Sequence, residues 1–262
     1  MLTRREFATL IAGAALVSPP QSSLLEGLRR LHAAYPTFIR SFDEKRIVWT
    51  DGATMPVSLF PATRSMSEKI RNPDLAAQVI QVYPKGPREI PTDPGSDPGR
   101  IRYNPFFARM YGDDQATVAQ NIIRVPWPSI ARAPFVQATK INGVAKHLIH
   151  VADELAAMPK HFHKFFDNPA GGFNWRPVAG TQRLSAHAFG FAVDINTNHS
   201  AYWRDELKGE SGEPANWKPK AVPKNRIPYE IVEIFERQGF IWGGKWYHYD
   251  TMHFEYRPEL LL

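Results

Sequence analysis

Two fragments of this 262-residue chain carry side chains able to bind a metal and move a proton. The first reads Ser185-Ala-His187-Ala-Phe-Gly190-Phe-Ala-Val-Asp194-Ile, and the second, far downstream, reads Asp250-Thr-Met-His253-Phe-Glu255. Side chains alternate faces along a strand. In Ala192 to Ile195, Val193 and Ile195 would face a core while Asp194 shares the other face with small Ala192. In Thr251 to Tyr256, Met252, Phe254 and Tyr256 would face the core, leaving His253 opposite with Thr251 and Glu255. Neighbouring strands would then each present one metal-capable group on the face away from the core, and His187, just before a turn at Gly190, would supply a third. Two histidines and one carboxylate, with the fourth position left for water, is the donor set of a catalytic zinc site. Asp250, three residues before His253, stands where a general base could take a proton from that water and return it to a leaving amine.

Each fragment alone would say little. A lone histidine beside an aromatic residue is ordinarily a hydrogen-bonded structural group, and an aspartate before a strand ordinarily caps a turn. His147 and His150 lie three apart on a predicted helix and His161 and His163 flank Phe162, with no third ligand near either pair, so both read as surface residues. His248, two residues before Asp250, can orient a ligand, face a substrate or sit on the surface. Trp203, Trp217, Trp242 and Trp246 can line a cleft, although aromatic residues are more often core.

The two fragments resemble the zinc D-alanyl-D-alanine carboxypeptidase and L-alanyl-D-glutamate endopeptidase family, which includes the vancomycin-resistance carboxypeptidases and many phage endolysins. Its pattern, Ser-x-His-x-x-Gly-x-Ala-x-Asp followed later by Glu or Asp, two residues and His, is filled by Ser185, His187, Gly190, Ala192 and Asp194, then by Asp250 and His253. Phe240-Ile-Trp242-Gly243-Gly244-Lys-Trp246 resembles the glycine–tryptophan segment of the endolysin-like branch. The resemblance covers roughly residues 138–262. It implies one Zn2+ per chain held by His187, Asp194 and His253, with Asp250 as catalytic base. It also implies an upstream arginine that stabilises a substrate carboxylate or developing oxyanion; Arg176 is the best positional match and Arg183 the fallback. Ser185 and Trp246 become substrate-side residues, and Glu255 and His248 partners of the metal ligands. Aspartate rather than glutamate at 250 departs from the carboxypeptidase branch and fits the endopeptidase-like one.

The elements that must position these residues follow from periodicity. Leu24, Leu25, Leu28 and Leu31 recur at helical spacing, predicting a helix from Ser23 to about Ala34. Arg46 to Thr50 reads as a strand entering an Asp51-Gly52 turn. Asn72-Pro73-Asp74 reads as the start of a helix reaching about Val82, with Asn72 as cap. Residues 84–98, with proline at 84, 87, 91, 94 and 98, read as a surface loop with almost nothing to bury. Asp114 to Arg124 reads as helical, after which Pro126, Pro128 and Pro134 argue against regular structure. The longest predicted helix runs from Ala138 to Met158, with Val144, Leu148, Val151 and Leu155 as its stripe. Beyond Pro159 come short strands at Phe173–Arg176, Phe191–Ile195, Phe240–Trp242 and Thr251–Tyr256, interrupted by a helix from Tyr229 to Gln238 that ends at Gly239. The expected class is α+β: a small antiparallel sheet carrying the zinc site, packed with helices and preceded by a helical, loop-rich region. The expected organisation is a signal segment over 1–22, an N-terminal region over 23–137 and a catalytic domain over 138–262.

Thr3-Arg4-Arg5-Glu6-Phe7 precedes a mildly apolar run, Ala8 to Val17, and then Ser18-Pro19-Pro20. That order describes a secretory signal, and the arginine pair resembles the twin-arginine export signal. The run is about half the roughly twenty residues a spanning helix needs, so export to the periplasm or beyond is expected, without stable membrane insertion. The absence of cysteine removes disulfides, thiolate metal sites and thiol catalysis. A net charge of +6 is spread among 26 acidic residues with no long basic run, which supports mild attraction to an anionic polymer and no nucleic-acid site. The leading reading is thus a zinc peptidase hydrolysing peptidoglycan stem peptides at an internal L-alanyl-D-glutamate bond. A D-alanyl-D-alanine carboxypeptidase and a non-catalytic, zinc-containing wall-binding module stand as alternatives. Asp250 argues against the last, because a binding module has no use for a base beside the water.

Overall fold

The computed structural model describes residues 23–128, 134–207, 217–219 and 227–262; the signal-like segment lies outside them. The chain opens with α1 (Leu24–Ala34), whose cap Ser23 accepts a hydrogen bond from the Glu26 amide as its spacing predicts. A three-stranded antiparallel sheet follows, β1 (Ile39–Phe42), β2 (Arg46–Trp49) and β3 (Thr54–Pro56). Two short helices come next. The first, α2 (Met66–Arg71), begins with a reciprocal Ser65–Glu68 capping box. The second, α3 (Leu75–Val79), is capped by Asp74 rather than Asn72 and stops before the expected Val82. The Asp74 carboxylate accepts from the Ala77, Leu59 and Phe60 amides and pairs with Arg64, which fixes the start of α3 two residues later than Asn72 would.

After the proline-rich stretch come α4 (Asn104–Tyr111) and α5 (Gln115–Ala119). The expected helix through Arg124 is wrong at its end. Ile122–Pro126 is a strand, β4, paired with β5 (Phe135–Thr139), which claims the start of the helix expected from Ala138. The β-branched Ile122, Ile123 and Val125 favour extended backbone, and among the described residues the sheet has two strands, so terminal Pro126 withholds no interior ladder bond. The helix itself, α6 (Val144–Ala156), buries Val144, Leu148, Val151 and Leu155 as its stripe predicts. A single-turn helix, α7 (His163–Phe166), follows.

The sheet that carries the site is β6 (Ala192–Asp194), β7 (Phe240–Trp242) and β8 (His253–Tyr256), with β8 in the centre and every pairing antiparallel. The remaining helix, α8 (Tyr229–Arg237), ends just before Gly239 and packs its Phe235 on Phe254 of β8, ring centroids 3.8 Å apart. The protein is therefore α+β, with small antiparallel sheets and helices, and one hydrophobic cluster runs continuously from Leu28 and Leu31 of α1 to Phe254 and Tyr256 of β8. Two local expectations fail. Phe173–Arg176 is not a strand; the neighbouring chain makes only single bridges, Gly171 to Asp194 and Pro177 to Leu184. Thr251 and Met252 form a turn, so Met252 meets the cleft described below rather than the core. Among the described residues no helix is long and apolar enough to cross a membrane.

Candidate active site

Register does the first part of the work. Asp194 of β6 lies directly opposite His253 of β8, and Ala192 opposite Glu255, so all four share one face of the sheet. His187 reaches that face from a short turn, Ala186–Phe189, whose start is capped by the Ser185 hydroxyl accepting from the His187 amide. The turn closes at Gly190, which holds φ +73° and whose missing Cβ would stand 2.4 Å from Ile122 Cδ1; only glycine satisfies both. The result is a triad. His187 Nε2, His253 Nδ1 and Asp194 Oδ1 lie 3.0–3.2 Å from one another. Donors at 2.0–2.2 Å from a tetrahedral zinc stand roughly 3.3 Å apart, so the spacing fits such an ion. These three residues could hold a metal.

The outward nitrogens decide which lone pairs face inward. His187 Nδ1 donates to the Gly172 carbonyl at 2.7 Å, and because a carbonyl only accepts, Nε2 is left to point its lone pair at the centre. His253 Nε2 donates to Glu255 Oε2 at 3.1 Å, leaving Nδ1 for the centre. Glu255 is fully buried, yet Arg102 at 2.6 Å and Arg257 at 3.1 Å overcome that burial and hold its carboxyl down to about 2. It is an ionised acceptor throughout the working range. Arg257 in turn bonds Glu259, which accepts from the Tyr35 hydroxyl at the end of α1, so the support of His253 runs across the molecule. Burial works to raise the Asp194 carboxyl, but His187 and His253 hold it well below the usual carboxylate range. Burial likewise opposes charge on His253, yet its bonds to Asp194 and Glu255 prevail and lift it to about 10. A divalent ion held by the triad would compete with that proton for Nδ1.

Asp250 occupies the entry to this strand. Its backbone closes against Gly243, where a Cβ would lie 2.6 Å from the Asp250 carbonyl oxygen, so glycine at 243 is what lets the two segments touch. The carboxyl is inserted towards the triad with Oδ1 buried and lacking any hydrogen-bond partner. Burial first, and the neighbouring Asp194 charge second, push its pKa up to about 6. A carboxyl so placed exchanges protons near neutrality.

One cleft of about 250 Å³ gathers the triad, Asp250, Ser185, Trp246, His248 and Arg176. Arg176 sits at its exposed rim and makes no ion pair among the described residues. Trp246 packs against His253 with ring centroids 5.7 Å apart, and Trp203 also lines the cleft, whereas Trp242 belongs to the core. Glu255 lies behind His253, out of the cleft. The sequence reading missed a third segment. From the stretch expected to bury almost nothing, fully buried Asp97 accepts from His248 Nδ1 at 2.6 Å and from Arg100 at 2.9 Å, and Arg100 and Arg102 both line the cleft. Burial alone would raise the Asp97 carboxyl; Arg100 and His248 lower it instead. The signal available was three charges, Asp97, Arg100 and Arg102, inside a proline-glycine loop; no periodicity marks them.

Residues 179–256 match the family model described as D-alanyl-D-alanine carboxypeptidase. That span takes in the triad, Ser185, Trp246, His248, Asp250 and Glu255, and leaves out Arg176 and the loop bearing Asp97 and Arg102. The comparisons with curated proteins and with solved structures returned no match. Match and site together define a peptidase-type hydrolase with a metal-capable triad.

Proposed function

We propose that the protein is an exported zinc peptidase that hydrolyses the stem peptides of peptidoglycan. The observation that carries this reading is the convergence, in one cleft, of three metal-directed lone pairs and a buried carboxyl without a partner. His187, Asp194 and His253 would hold the ion, and the chemistry a zinc supplies there is polarisation of the scissile carbonyl and acidification of water. Asp250 takes the proton from the attacking water as the new C–O bond forms. It then delivers that proton to the amide nitrogen as the C–N bond breaks, giving a free carboxylate and a free amine. Glu255 fixes the His253 ring while this happens, and Trp246, Trp203 and His248 wall the cleft. Arg176 at the rim offers a planar fork to a carboxylate of the peptide or to the developing oxyanion.

The favoured bond is internal, L-alanyl-D-glutamate, because the base is aspartate, as in the endolysin-like branch. The description of the matching family model favours the second reading, removal of a terminal D-alanine. Digestion of purified peptidoglycan with mass analysis of the products decides between them. Free disaccharide-linked L-alanine and peptides beginning with D-glutamate are expected; release of single alanines alone would shift the assignment to the carboxypeptidase. His187→Ala and His253→Ala should lose zinc and activity together, and full zinc occupancy in both would remove the ligand assignment.

A further inference from the structure

One side chain of the cleft faces the base and has no part in the reaction so far. Tyr202 lines the cleft together with Asp250, and the backbone fixes how the two meet. The Thr251 amide donates to the Ala201 carbonyl at 2.9 Å and the Trp203 amide to the Tyr249 carbonyl at 3.0 Å, framing an antiparallel bridge between Tyr202 and Asp250. Both bonds belong to the flanking residues, so Tyr202 and Asp250 are a non-hydrogen-bonded pair. That is the narrower kind, with Cα atoms about 4.5 Å apart and both side chains on one face. The Asp250 carboxyl is inserted towards the triad, and the Tyr202 ring leaves the backbone on the same side.

The segment is held as well as aimed. The Thr251 hydroxyl accepts from the Ala201 amide, the Ser200 hydroxyl donates to the Asn196 carbonyl, and buried Trp203 clusters with Ile90, Leu207 and Tyr249. Tyr202 itself is half-buried, and its hydroxyl makes no hydrogen bond with a described residue. A tyrosine ring can lie against an apolar wall, but its O–H needs a partner, and here the partner has to come from the cleft. Burial first, and the Asp250 charge second, raise the phenol above its ordinary value, so it keeps its proton across the neutral range. The result is a neutral donor standing beside the proton carrier.

Amide hydrolysis calls for such a donor. As water adds, the carbonyl carbon becomes tetrahedral and charge gathers on its oxygen, where a fixed hydrogen bond in a partly dry cleft lowers the barrier. We propose that the Tyr202 hydroxyl donates to that oxygen and is a catalytic residue of the peptidase. It transfers no proton: Asp250 carries the proton from water to the leaving nitrogen, and the phenol stays neutral throughout. The inference rests on the peptidase reading and deepens it, taking the developing oxyanion from Arg176 at the rim and giving it to a side chain paired with the base.

The test compares the zinc-loaded full chain with Tyr202→Phe, which loses one oxygen and keeps the ring. Muropeptides from purified peptidoglycan are the substrate. A phosphinic pseudopeptide of the cleaved sequence, whose tetrahedral phosphorus carries the oxyanion charge, probes the transition state. Tyr202→Phe should lower kcat about a hundredfold to a thousandfold, the cost of removing one oxyanion donor, with KM and zinc content unchanged. Affinity for the phosphinate should fall with kcat, because the lost contact is made only in the transition state. A parental kcat in the variant overturns the assignment. So does a loss confined to KM, which would make the hydroxyl a ground-state contact. Should the variant not fold, the parent decides alone: in its crystal structure with the phosphinate, the Tyr202 hydroxyl should lie within about 3 Å of a phosphinyl oxygen, and a separation beyond roughly 3.5 Å overturns the proposal. A parent that releases no product from peptidoglycan sinks the peptidase reading and this role with it, whereas an active parent with an unaffected variant removes Tyr202 alone.

Discussion

Asp250→Asn separates the chemical role of this carboxyl from its effect on the fold. The group titrates at about 6 in the folded protein against an ordinary 3.8. A carboxyl whose folded pKa is raised destabilises the native state once it must ionise there. At about 1.4 kcal/mol per unit, a rise of roughly two units costs the metal-free fold about 3 kcal/mol. The sign follows from proton uptake. Below about pH 3.8 both states hold the proton and the cost is absent. Between 3.8 and 6 the unfolded chain releases it while the folded one keeps it, and the cost grows. Above about 6 it is complete. Asparagine keeps the shape and removes the ionisation. Metal-free Asp250→Asn should therefore be more stable than the parent by about 2–3 kcal/mol at pH 8, with the difference shrinking towards pH 4. Zinc beside the carboxylate would favour its charge, so the gain should narrow in the loaded protein. Urea unfolding of both proteins, with and without zinc, at pH 4 and 8 measures this, and product formation should fall about a hundredfold or more. A variant that is no more stable at pH 8, or equally stabilised at both pH values, would refute the assignment of a strained, ionisable base.

Three further outcomes are expected. Glu255→Gln should still accept from His253 but loses the negative charge, so zinc affinity should drop about 10–100-fold by competition with a chelator while the fold persists; unchanged affinity would make Glu255 structural only. A fragment of residues 138–262 should fail to fold or to hold zinc, because it lacks Arg102, Tyr35 and the α1 half of the hydrophobic cluster; circular dichroism and elemental analysis check it, and a folded, zinc-loaded fragment would establish an autonomous catalytic domain. Replacing Arg4 and Arg5 by lysine should leave precursor in the cytoplasm, since the twin-arginine route reads guanidinium groups rather than charge, and normal export in cell fractionation would point to the general secretory route.

What was legible in the sequence was whatever is written locally. A strand's alternation put Asp194 and His253 on the face away from the core, and β6–β8 register then set them opposite each other. The Ser23 cap and the α6 stripe were legible for the same reason, since cap and stripe span only a few residues. Met252 was misplaced because alternation was extended over two turn residues, Thr251 and Met252, and the β4–β5 hairpin was missed because its prolines stop a central strand but not an edge. The support of the site was illegible for a different reason. Arg102 meets Glu255 across 153 residues and Tyr35 meets Glu259 across 224, and no short-range pattern encodes a pairing at that distance. The ligands can be read because each is fixed by its own strand. Glu255, which holds the His253 tautomer, could be read because it stands on the same strand, but the groups that keep Glu255 ionised and orient His248, Arg102 and Asp97 among them, come from a loop that only the folded core brings near. Residues 97–102 therefore belong to the cleft as much as the matched segment does, because Arg100 and Arg102 line it and Asp97 holds His248 against it.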